Sequence, residues 1–158
     1  MFSKLINRRS FVQVTAVITA SKSAIALPKT LPITSSLASS LDAAILAKKV
    51  LIVMVSLDGC PFCKVSREHY LIPLKEQQNL AIVQVNMRSR EKIKDFKGTD
   101  TTHDQLIRSW GVKVAPTVLF FGQNGKEFAE RLSGAYIPDF YGTYLDERIQ
   151  KANAQIIN

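Results

Sequence analysis

The chain has 158 residues, 46% of them apolar, and its 21 Lys and Arg against 13 Asp and Glu give a formal net charge of +8. That length suits one domain, and that apolar fraction is enough for a buried core, which argues against a disordered chain. The basic excess comes without a basic run or interleaved aromatics, so nucleic-acid binding is set aside.

Much of the charge sits at the start. Met1 to Arg9 carries Lys4, Arg8 and Arg9 and no acid, Phe11 to Ala20 is mildly apolar, and Ala24-Ile25-Ala26 offers small residues where an export peptidase cuts. These features predict a signal peptide over 1–26 and a Pro-, Ser- and Thr-rich spacer over 27–40. Asn7-Arg8-Arg9-Ser10-Phe11-Val12-Gln13 resembles the twin-arginine export motif, with Asn7 and Gln13 departing from its commonest form. The polar interruptions at Thr15, Thr19 and Ser21 favour that route over general secretion, which stays open. A membrane anchor needs about 20 unbroken apolar residues, and Gln13 and Lys22 bracket a shorter stretch. A mitochondrial presequence is the other alternative. The leader holds four of the 21 basic residues and no acid, so cleavage after Ala26 leaves 132 residues with a net charge of +4. The expected product is a periplasmic monomer without a stable membrane anchor.

Beyond the spacer, a domain is predicted over 41–155. Ser40 is placed to cap a helix running to about Lys49, with Leu41, Ala44 and Ile45 on its apolar face. Val50 to Leu57 is too continuously apolar for a surface strand and predicts a central strand buried on both faces. A helix opens at Pro61, a residue favoured at the first helical position, and Pro73 is expected to break or kink it near Ile72. Leu80 to Met87 is the next strand, parallel to the first because a helix fills the gap between them.

Residues 88–102 read as a charged loop with a short helix at 91–96. Thr102 or Asp100 is expected to cap a helix over His103 to Trp110 that ends at Gly111. Thr117 to Phe121 is a strand, Gln123-Asn124-Gly125-Lys126 a hairpin turn, and Glu127 to Leu132 an antiparallel edge strand. The last helix, Ile137 to Ile157, has Pro138 in its first turn, Asp139 at its positive end, and Phe140, Tyr144, Ile149 and Ala152 at helical spacing. Trp110, Phe120, Phe121 and Tyr144 are read as core residues, and His69 and His103 as surface residues of helices.

Both cysteines of the chain, Cys60 and Cys63, fall where the buried strand meets the helix start. The unpaired N–H groups and partial positive charge there favour a thiolate on the first cysteine. The second, one turn along, is placed to attack a mixed disulfide formed by the first. A structural bridge between positions i and i+3 would close too small a loop to stabilise much, so chemistry explains the pair better.

Three features in order resemble the thioredoxin superfamily: the strand into Cys60-Pro61-Phe62-Cys63; the stretch Trp110-Gly111-Val112-Lys113-Val114-Ala115-Pro116-Thr117 entering an apolar strand; and the hairpin, Gly134 and closing helix. The resemblance implies an α/β fold with a central mixed sheet of about four strands flanked by helices, and a cis Pro116 facing the dithiol. It implies catalytic roles for Cys60 and Cys63, and a substrate-binding platform at Ala115 and Pro116, with Pro61 and Phe62 beside it.

Thioredoxins proper carry Trp-Cys-Gly-Pro-Cys and a buried acid six residues before the first cysteine. Here those positions hold Gly59, the dipeptide Pro61-Phe62 and Met54. Met54 cannot take a proton from the resolving thiol, Asp58 reads as a surface residue, and Lys64 as a solvated one. The dipeptide is similar to that of glutaredoxins, whereas the chain as a whole looks most like exported, SoxW-like thioredoxin-related proteins. The implied activity is an extracytoplasmic thiol-disulfide oxidoreductase, needing no cofactor, with protein disulfides or thiols as substrates and a redox partner that regenerates the dithiol. Two alternatives stand beside it. One is a metal or cofactor carrier using the two thiols, of which a zinc site adding His69 and His103 is the extreme form. The other is a binding module without turnover.

Overall fold

The computed structural model describes residues 30–134 and 138–157, and the predicted leader with its arginine motif and cleavage site lies outside them. The core strand, β1 (Leu51–Ser56), is buried at all six positions, as its unbroken apolar run requires. β2 (Ala81–Asn86) pairs with it in parallel, and β5 (Thr117–Phe121) pairs with its other edge antiparallel. β6 (Leu132–Ser133) follows β5, so the mixed four-stranded sheet runs β2-β1-β5-β6. Between β2 and β5 lie a small antiparallel pair, β3 (Lys92–Lys94) and β4 (Asp100–Thr102), and the helix α4 (His103–Ser109).

The pleat of β1 sends alternate side chains into two separate cores. Val50, Ile52 and Met54 join Val118 and Phe120 on one face, beneath Cys63 and Leu71 of the active-site helix and Tyr141, Leu145, Ile149 and Ala152 of α5 (Pro138–Ile157). Leu51, Val53 and Val55 join Leu119 and Phe121 on the other, covered by Leu37, Leu41 and Ala44 of α1 (Leu37–Leu46) and Leu106 and Ile107 of α4. Helices on both faces of a mixed sheet are the architecture that the resemblance implied.

Several local expectations are corrected. α1 is capped by Ser36, whose side chain accepts from the Ser39 N–H, so the helix starts before Ser40. The preceding residues are built into the domain: the Pro32 carbonyl accepts from Gln84 N–H of β2 at 2.9 Å, the Ser35 carbonyl accepts from Lys94 N–H of β3 at 2.9 Å, and Leu31 is buried. Pro73 does not end the helix but follows a change of helix type at Leu71–Ile72, where a break or kink was expected. α2 (Pro61–Val65) passes through a π-helical segment, Ser66–Leu71, into α3 (Ile72–Gln78), with Ile72 N–H bonded to the Arg67 carbonyl. The wider turn directly before Pro73 takes up the proline's missing N–H and its ring.

Residues 92–94 form a strand where a short helix over 91–96 was expected. The edge strand expected over Glu127 to Leu132 reduces to a bridge between Phe121 and Glu127 and the two residues of β6. Of the face expected for α5, Ile149 and Ala152 are buried, whereas Phe140 and Tyr144 are exposed and Tyr141 and Leu145 take their place in the core. Thr102 caps α4 through its hydroxyl, as one of the two candidates.

Candidate active site

The site forms where β1 ends. Ser56 closes the strand, Gly59 turns the chain with φ of +71°, and Cys60 becomes the N-cap of α2 with Pro61 in its first turn. A positive φ is strained for any residue with a Cβ, which accounts for a glycine where thioredoxins carry tryptophan. Cys60 and Cys63 are joined as a disulfide with their Cα atoms 5.2 Å apart. Cys60 is partly exposed and Cys63 is buried at 1% exposure, the asymmetry expected of an attacking and a resolving sulfur. The Cys63 N–H points at Cys60 Sγ over 3.1 Å, a donor in place for a thiolate once the bond is reduced.

Opposite the pair lies the loop into β5. The Ala115–Pro116 peptide bond is cis, as the resemblance implied, Pro116 is buried and Ala115 is half-buried. The Ala115 carbonyl oxygen stands 3.8 Å from Cys60 Sγ. Pro61 and Phe62 are both exposed beside the sulfurs, Phe62 at 59%. All six residues singled out in the sequence therefore meet at this end of the sheet.

The buried acid of thioredoxins has no counterpart here: Met54 is fully buried among apolar side chains, and Asp58 is exposed on the turn. Below Cys63, the buried Ser66 hydroxyl is hydrogen-bonded to Tyr141, whose phenol is pushed up in pKa by burial. Among the described residues no three His, Cys, Asp or Glu side chains converge as a metal site. His69 is exposed, as expected. His103 is a correction, because it is 1% exposed with Nδ1 accepting from the Asn86 N–H at 3.0 Å. Its pKa is lowered by desolvation, against an upward pull from Glu91.

Sequence reasoning missed the groove on the other side of Cys60. It has a volume of about 770 Å³, and Lys64, Arg67, Gln84 and Asn86 line it together with Cys60. Two signals were present. Cys60, Lys64 and Arg67 recur at spacings of four and three, which places them on one helix face, and Gln84 interrupts an otherwise apolar strand.

Solved structures are similar to the chain at low identity. Thioredoxin of Fasciola hepatica is 21% identical, with a TM-score of 0.49 over 77% of this chain and 99% of that one. Thioredoxin NaTrxh of Nicotiana alata is 18% identical, with a TM-score of 0.49 over 78% and 96%. The periplasmic thioredoxin SoxS of Paracoccus pantotrophus, in its reduced form, is 18% identical, with a TM-score of 0.44 over 66% and 99%. No curated protein sequence matches the chain. Residues 37–149 match the family described as the thioredoxin-like domain, a span that holds β1, both cysteines, Pro116 and most of α5. The chain belongs to the thioredoxin-like domain family.

Proposed function

We propose that the protein is an exported thiol-disulfide oxidoreductase that reduces or exchanges disulfides of extracytoplasmic proteins. The observation that carries the redox reading is the Cys60–Cys63 pair itself: a partly exposed sulfur at a helix N-cap and a buried one a turn along, beside a cis-proline loop. In the reducing direction, Cys60 thiolate attacks one sulfur of a substrate disulfide, and the substrate's other sulfur leaves as a thiolate that takes a proton from water. Cys63, losing its own proton, then attacks Cys60 Sγ and expels the second substrate thiolate. Two electrons have passed to the substrate, and a dithiol donor must return them to Cys60–Cys63. The Ala115 backbone, with Pro116, Pro61 and Phe62 around it, supplies the platform on which an extended substrate segment lies next to Cys60.

The basic, acid-free start with its paired arginines supports export to the periplasm, with cleavage after Ala26. The Cys60-Pro61-Phe62-Cys63 start and the basic leader together resemble SoxW-like thioredoxin-related proteins. The test is trapping in cells with Cys63→Ser. Discrete mixed disulfides through Cys60, on partners outside the cytoplasm, are expected. An absence of any Cys60-dependent adduct would overturn the redox reading, and adducts confined to cytoplasmic partners would overturn the export reading alone.

A further inference from the structure

The groove beside Cys60 holds two cations that no acid neutralises among the described residues. Lys64 and Arg67 line it one and two turns along the helix from Cys60, and neither takes part in an ion pair there. Among the described residues Arg67 is held in place through one nitrogen. Its Nη1 donates to Gln84 Oε1 at 3.1 Å and to Ser56 Oγ at 3.4 Å, while its Nε is buried without an acceptor.

The support behind it is ordered. Gln84 Nε2 donates to Asn86 Oδ1 at 2.8 Å, so Gln84 presents its oxygen to the guanidinium, and the Asn86 backbone is itself anchored on His103. A guanidinium positioned through Nη1 by neutral oxygens keeps its charge without a carboxylate partner, and its planar fork suits a two-oxygen anion. The one acid on the rim, Asp58, is exposed and bonded to neither cation.

We propose that this groove is a carboxylate subsite: Arg67 and Lys64 receive an acidic group that the disulfide partner carries close to its reacting sulfur. The inference rests on the oxidoreductase reading and names the substrate class of that site. The carboxylate comes either from an acidic side chain of a protein substrate or from a small acidic disulfide. In both cases the attraction aligns the disulfide with Cys60 before attack.

The test uses the chain from Leu27 to Asn158, reduced and freed of reductant, so that each turnover oxidises Cys60 and Cys63 and reduces one disulfide to two thiols. Rates are compared for peptide disulfides identical except for Glu, Gln or Lys beside the cysteine, and for glutathione disulfide against the neutral hydroxyethyl disulfide. The Glu peptide is expected to react on the order of tenfold faster than the Gln peptide, as one charge-assisted hydrogen bond would give, and the Lys peptide slower still.

Within Arg67→Gln the Glu-to-Gln ratio should collapse towards one, and within Arg67→Lys it should be partly retained. Because each ratio is taken inside one variant, a loss of folded protein does not imitate the result. An Arg67-dependent gain confined to the peptides identifies a protein chain as the occupant, and one shared by glutathione disulfide identifies a small acidic disulfide. Equal rates for Glu and Gln peptides in the parent chain, with exchange otherwise proceeding, would overturn the carboxylate subsite and leave the redox reading standing. No exchange with any disulfide would overturn both.

Discussion

His103 shows how one side chain ties pH to stability. Buried at the start of α4, it accepts a hydrogen bond from the end of β2, and desolvation lowers its pKa below the usual 6.5. A proton on Nδ1 would remove the acceptor that the Asn86 N–H needs. Because the unfolded chain binds that proton more readily, stability is whole above about pH 6.5 and falls as pH drops through and below it. Urea midpoints measured between pH 8 and 5 should therefore decline on the acid side, and His103→Gln should flatten that decline. An identical pH profile in the variant would show that another group is responsible. Gly125 is the second residue whose identity is dictated: its φ is +66° and an added Cβ would lie 2.6 Å from the Phe96 ring. Gly125→Ala is expected to cost about 1–3 kcal/mol, read from the denaturant midpoint. The turn was legible from Asn124-Gly125, whereas the burial of His103 was not, because a polar His-Asp-Gln start is what an exposed helix would also show. The hydrogen-bond partner of His103 is Asn86 at the end of β2, on a separate element 17 residues earlier.

At the scale of elements, α5 contains two apolar stripes that both satisfy helical spacing. Phe140 and Tyr144, or Tyr141 and Leu145, can each lead into Ile149 and Ala152, and only packing against the sheet chooses the second pair. Tyr141 is chosen with a partner, its ring 4.9 Å from Tyr70 in an edge-on contact. Leu145→Ala should cost about 2–5 kcal/mol, while Phe140→Ala should stay within about 0.5 kcal/mol, in thermal or urea unfolding. The reverse order would mean that the helix is turned the other way. Ser36→Ala is expected to cost about 1 kcal/mol through loss of the α1 cap, again by denaturation. β1 and β5 were legible because continuous apolar runs have few alternatives. The π-helical passage before Pro73 and the strand at 92–94 were not: the first answers to a covalent constraint inside a well-packed helix, and the second is half of a pair whose partner, β4, is itself only three residues long.

Across the whole molecule, the redox pair was readable because its chemistry depends on local spacing, and the groove was not because strand, helix and N-terminal segment each supply part of it. The segment before α1 has a further consequence. It lies along the outer side of β2 at Gln84 and then reaches β3, while the opposite border of the sheet is β6, two residues long. Among the described residues the segment occupies the β2 border at Gln84, and β6 is short, so each border is partly blunted against addition of another chain as an extra strand. Deleting 30–36 should uncover the β2 border and increase concentration-dependent association over that of the parent chain, measurable by light scattering; a variant that scattered no more than the parent at high concentration would show the border to be protected otherwise. On the proposed function a partner peptide would be received at Cys60, where strands end, rather than alongside a border, which separates the exchange site from the places where chains could accumulate.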